Sequence, residues 1–173
     1  MSQDDTGIYD NHHRQYVGQF LKDHITPGSN LSVVSAYFTI YAFEKLKDQL
    51  LEIESLRFLF GEPRFIRSLD PSKTGPQSFK IENDSLELKQ HLQQRQVAKD
   101  CADWIKKKVD IRSVKTSNLL HGKMYHIENN GLESAMMGSS NFTVRGLGLG
   151  RNQNNIELNL EVDSNQLGKF RRD

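Results

Sequence analysis

Cysteine is almost missing from this chain: Cys101 is the single thiol in 173 residues. A lone cysteine excludes a disulfide framework and a thiolate zinc site, and leaves the ordinary reading of a partly buried, inert side chain. Long apolar runs are missing as well; nothing approaches the roughly 20 residues a membrane-spanning helix requires. The first twenty residues are polar and charged rather than leader-like. Both observations set the expected location as cytoplasmic, with no membrane partner. No G-x-x-x-x-G-K-[ST] phosphate loop occurs, so any ATPase would have to lie outside this chain. Proline is scarce, and three of the four, Pro63, Pro71 and Pro76, fall in one stretch.

What is present reads as one α/β domain, long enough to bury a core. The net charge of +1 conceals an asymmetry. Residues 1–60 hold five of the 23 Lys/Arg and eight of the 22 Asp/Glu, so positive charge gathers in the later part of the chain. A polyanion near that part is one reading; a mixed, solvated surface is the other.

Along the chain, apolar positions from Ile8 to Ile25 recur at helical spacing, with Pro27 and Gly28 closing the segment. Leu31 to Phe38 is β-branched and aromatic, the composition of a central strand covered on both sides. A helix over Ile40–Leu51 and a strand over Leu56–Phe60 complete a right-handed βαβ unit. Residues 61–83 carry the proline cluster with Arg64, Arg67, Lys73 and Lys80, and read as an irregular excursion that either walls a substrate groove or is a surface insertion. A long amphipathic helix is expected over Asp84–Lys108, and a strand over Val109–Val114.

Three short polar motifs follow. His121 and Lys123 form H-x-K, Gly138, Ser139 and Asn141 form G-S-x-N, and Asn155 and Glu157 form N-x-E. On neighbouring strands, side-chain alternation would aim these groups at one spot. A base or nucleophile, a fixed cation, a hydroxyl, an amide donor and an orienting carboxylate suffice to attack a phosphoester without a metal. His126 points away from Lys123 by the same alternation, and no Cys or Asp set accompanies it, so no metal site is expected. Gly146, Gly148 and Gly150 lack the strand-then-helix setting of a dinucleotide fingerprint and read as a tight loop, so no cofactor is expected. Arg145 and Arg151 flank that loop as candidate phosphate contacts.

The order H-x-K, G-S-x-N, N-x-E resembles the phospholipase D superfamily, the HKD phosphodiesterases. The motif match covers the second half of the chain, and the opening βαβ unit is also similar to the start of those domains. One departure is Glu128, where the family pattern H-x-K-x4-D carries aspartate; it falls on the opposite strand face from His121 and is expected to support structure. The resemblance implies a mixed β-sheet flanked by helices on both faces, a single HKD half. It implies catalysis by His121, Lys123, Ser139, Asn141 and Glu157, with Glu157 holding the second nitrogen of His121. Phosphate or nucleic-acid contacts would come from Arg145, Arg151, Arg64 and Arg67. Because no second H-x-K occurs, the resemblance further implies a homodimer in which one His121 attacks phosphorus, forming a phosphohistidine, and the other protonates the leaving oxygen.

Two functions of different kinds remain open at this stage. One is a metal-independent nuclease acting on DNA, or on RNA, since the motifs resemble the modules at the N-termini of bacterial superfamily 2 helicases and restriction-type nucleases. The other is a non-catalytic module that docks nucleic acid or dimerises a fused helicase. The terminal Lys169-Phe170-Arg171-Arg172-Asp173, opening a new segment, suggests a domain excised from a longer protein. A lipid phospholipase or synthase is the weakest reading, for want of a membrane-docking face.

Overall fold

The computed structural model describes residues 7–61, 88–114, 120–151 and 153–162, with the side chains of 88–92 left aside. Its centre is a mixed seven-stranded sheet, built from β1 (Ile8–Tyr9), β2 (Asn30–Ser35), β3 (Ser55–Phe60), β4 (Val109–Ser113), β5 (Lys123–Asn129), β6 (Leu132–Gly138) and β7 (Asn159–Val162). The order is β1-β7-β6-β5-β2-β3-β4. Strands β2, β3 and β4 run parallel; every other pairing is antiparallel. The described helices are α1 (Val17–His24), α2 (Ile40–Lys45), α3 (Lys47–Glu52) and α4 (Leu88–Lys108).

Alternation decides which face holds the core. Leu31 and Val33 of β2, Leu56, Phe58 and Phe60 of β3, and Tyr125 and Ile127 of β5 are all buried on one face. Phe58 meets Phe38 and Phe142 there, Phe38 stacks towards Trp104 of α4, and Trp104 packs on Phe43 of α2. Phe20 of α1 reaches the same face through Tyr9. The Trp104 indole donates to the Leu50 carbonyl (2.8 Å), which gives its polar edge a partner inside the core.

The βαβ unit and the mixed sheet are as the sequence predicts; several details differ. The segment from Ile8 to Ile25 is not one helix. Ile8 and Tyr9 pair with β7, Asn11 takes a left-handed φ of 60°, and the Asp10 carboxylate accepts the backbone N–H groups of His12, His13 and Arg14. Those bonds offer the chain a turn in place of a helix, which starts at Val17. The helix expected over Ile40–Leu51 is two, broken at Leu46, whose N–H reaches both Ala42 and Phe43 carbonyls. Strand β2 is central but ends at Ser35, and its second face, with Ser32 and Val34, is half-buried rather than covered. Among the described residues the aromatic contacts of α1, α2 and α4 fall on the core face. The Lys108 ammonium donates to the Leu51 and Ile53 carbonyls, which ties the end of α4 to the end of α3. The irregular excursion, Arg64 and Arg67 included, and the start expected for the long helix at Asp84, lie outside the described residues.

Candidate active site

The residues singled out by motif meet at one end of the sheet, where β2 and β6 finish and β5 begins. The β2–β5 ladder reaches Val34 opposite Met124, and Lys123 pairs with Gly138, which pairs with Asn159. His121 sits just ahead of β5 and is exposed. Lys123 is 5% exposed, and its ammonium donates to the His121 carbonyl oxygen at 2.8 Å. A cation is thus fixed beneath the histidine, with two of its three N–H groups left for other acceptors.

The approach of His121 is set by a glycine just after β3. The Leu120 N–H bonds the Gly61 carbonyl (3.2 Å), and a Cβ added at Gly61 would stand 2.2 Å from the Leu120 carbonyl oxygen. Only a residue without a side chain allows two backbones that close.

Asn141 is oriented by β2. Its side-chain oxygen accepts the Ala36 N–H (3.1 Å) and the Ser35 hydroxyl (3.2 Å). The backbone donor fixes which end of the amide is oxygen, so the amide nitrogen is the end turned away. No partner for that nitrogen occurs among the described residues, and it is a donor in waiting. Ser35 is buried and also accepts the Phe142 N–H (3.0 Å). Its neighbour on the other side of the turn, Ser140, is fully buried: Asn159 accepts its N–H (3.2 Å) and donates to its hydroxyl (2.9 Å). The Tyr125 hydroxyl donates to the Ser140 carbonyl at 2.8 Å. Burial, and secondarily the charge of Glu157, push the Tyr125 phenol well above its usual range, so it stays a proton donor.

Glu157 is placed differently from expectation. Its carboxylate accepts the Ser139 hydroxyl and the Asn155 amide (3.1 Å), and no contact to His121 is among its bonds. The reason is topological: β6 lies between the strand that follows Glu157 and the strand that follows His121. Ser139 in turn accepts the Leu158 N–H (3.0 Å), so the G-S-x-N and N-x-E motifs are joined directly while His121 and Lys123 form a second pair. Arg145 and Arg151 are exposed on the turn after Phe142, and the Arg145 carbonyl takes the Asn155 N–H (3.1 Å). Gly148 in that turn has φ 73°, and an added Cβ would meet Asn11 and Tyr16 at 2.7 Å. Glu128 accepts Asn30 (3.0 Å) and the Gly131 N–H (2.7 Å) on the hairpin, a structural role.

Sequence reasoning missed Ser35, Ser140 and Tyr125, which hold the site rather than form it. The one available signal was a serine closing the apolar run of β2. Grooves of about 380 and 370 Å³ share Arg57 and His126 on the other sheet face. Among the described residues no cluster suited to a metal ion occurs, and no helix is long and apolar enough to cross a membrane.

Residues 29–171 match the family model described as "Cardiolipin synthase, PLD-like domain". No curated protein matches the chain.

Proposed function

The chain belongs to the phospholipase D-like family, which implies phosphodiesterase-type chemistry, and on that premise we propose that it is a metal-independent nuclease cutting DNA. In this reading His121 attacks phosphorus through one ring nitrogen, the P–O bond to the leaving strand breaks, and the His121 of a second copy gives its proton to the leaving oxygen. Water then attacks the phosphohistidine as the second imidazole takes one of its protons, and the P–N bond breaks to free the first imidazole, which restores both copies. Lys123 and the Asn141 amide nitrogen would neutralise the non-bridging oxygens, and Ser139 would add a hydroxyl donor. Exposed Arg145 and Arg151, with Arg64 and Arg67, would grip flanking phosphates.

The observation that carries the proposal is the pair of aimed donors at one sheet end. A buried ammonium is tied to the backbone of His121, and an amide oxygen is so occupied that its nitrogen must point away. Fixed donors around an exposed imidazole suit an anion with charge to be neutralised.

A second reading draws on Glu157. Its carboxylate is engaged by Ser139 and Asn155 instead of His121, which favours a nucleic-acid-docking or dimerisation module of a larger ATP-dependent helicase. Cleavage of labelled single- and double-stranded DNA in excess EDTA, by wild type and His121→Ala, separates the two. Cutting that survives EDTA and vanishes in the variant supports the nuclease. Binding without cutting moves the assignment to the docking module, and turnover of phosphatidylglycerol vesicles without DNA cleavage overturns both.

A further inference from the structure

We infer that Tyr37 stacks on an unpaired base beside the scissile phosphate, so that the site takes single-stranded DNA. The inference rests on the nuclease reading above and names which form of DNA it selects. Tyr37 is 55% exposed, more than any other tyrosine, phenylalanine or tryptophan among the described residues. A lone exposed aromatic is ordinary on a protein surface, but this one stands on a backbone tied to the site on both sides. The Ala36 N–H bonds the Asn141 side-chain oxygen, and the Tyr37 carbonyl accepts the Ser35 hydroxyl (2.8 Å). Phe38 stacks on Phe142 with ring centroids 5.2 Å apart, and the Thr39 N–H bonds the Phe142 carbonyl (3.1 Å). With its backbone fixed in this way, the exposed ring loses little freedom when a ligand covers it.

The strand ends put Tyr37 and His121 in one place. Gly61 donates its N–H to the Ser35 carbonyl (3.3 Å), and its own carbonyl accepts the Leu120 N–H (3.2 Å). Leu120 therefore stands beside Gly61 where β2 would have run on. Lys123 opens β5 on the other flank of β2, so His121 and Gly122 lie across the end of β2. Tyr37 leaves the sheet at that same end. An exposed π face beside a set of phosphate-neutralising donors suits a nucleotide, whose base is joined to its phosphate through one sugar. In a duplex the faces of each base are covered by the neighbouring pairs, whereas an unpaired base offers its face to an aromatic side chain. Single strands are thereby favoured.

The test measures binding, in EDTA, of labelled oligothymidylate, the same strand carrying abasic residues, and duplex DNA. The proteins are wild type, Tyr37→Phe, Tyr37→Leu and Tyr37→Ala, with folding verified by circular dichroism. Wild type should favour oligothymidylate over the other two ligands. Tyr37→Leu and Tyr37→Ala should weaken that binding about 10-fold or more and leave the abasic strand unaffected, while Tyr37→Phe matches wild type. Should the smaller side chains misfold, Tyr37→Trp adds an exposed indole to the single, buried Trp104, and oligothymidylate but not the abasic strand should quench it. A wild-type preference for duplex, equal losses on both strands, or an unquenched indole overturns the stacking role. Cleavage is followed on the same samples. Base-dependent binding without cleavage overturns the nuclease and spares the stacking, and cleavage by Tyr37→Ala at the wild-type KM does the reverse. A wild type that binds no DNA overturns both.

Discussion

The Lys123 ammonium lies 2.8 Å from the carbonyl oxygen of His121 while the residue as a whole is 5% exposed. A charge kept from water is costly, and the fold ties it to the backbone of an exposed histidine at this end of the sheet. Such a placement makes sense for an anion that arrives later.

Lys123→Met separates that role from a structural one. Lys123 has no ion-pair partner among the described residues, so exchanging its buried ammonium for an apolar side chain of similar length removes a desolvation cost, and the melting temperature should hold or rise. Turnover of an aryl phosphodiester should fall about 100-fold or more, the usual cost of removing a charged donor to the transition state. Lys123→Arg should not rescue it, since a planar fork does not fit a seat shaped for a point charge. Equal losses in turnover and stability would show that the lysine is structural.

Asn141→Asp keeps the acceptor that Ala36 and Ser35 require and replaces the outward amide with a second carboxylate oxygen. The expected outcome is a folded protein with a melting temperature near that of wild type and activity reduced about 100-fold or more. Asn141→Ala should lose stability as well, because the Ala36 N–H then lacks its partner, at a cost of about 1–3 kcal/mol.

Burial pushes the Cys101 thiol up to about 11. The folded thiol should therefore stay protonated at pH 8 and react with an aromatic disulfide reagent at the rate of unfolding, many times slower than in urea. The sign of the pH dependence follows from linkage. The unfolded thiol ionises near 9.0 and the folded one near 11, so Cys101 lowers stability as pH rises through that window. Urea titrations of wild type and Cys101→Ser at pH 8 and pH 10.5 should show a smaller drop in the variant.

Much of the fold was legible because its signals are local. The β-branched run of β2, the helical period of α4 and the glycine after β3 each announce an element from within a few residues. The first helix was misjudged at Asp10 and Asn11, where an aspartate side chain satisfied three backbone N–H groups and a left-handed residue broke the period. The three motifs lie on segments that the fold brings to one sheet end. Their pairing was not legible: strand order, set by contacts more than 100 residues apart such as Ser35 with Asn141, is what sends Glu157 to Ser139 rather than to His121. Supporting residues such as Ser140 and Tyr125 gave no sign at all, since a serine and a tyrosine in strands are ordinary until their partners are known.

Gly61 touches no motif residue, yet its backbone and that of Leu120 share a space no methyl group can enter. A library of variants selected for activity would tolerate change at Gly61 as poorly as at His121, and for a reason invisible in any reaction scheme. Anyone grafting these motifs onto a new scaffold would have to carry this bare position along with the histidine it steers.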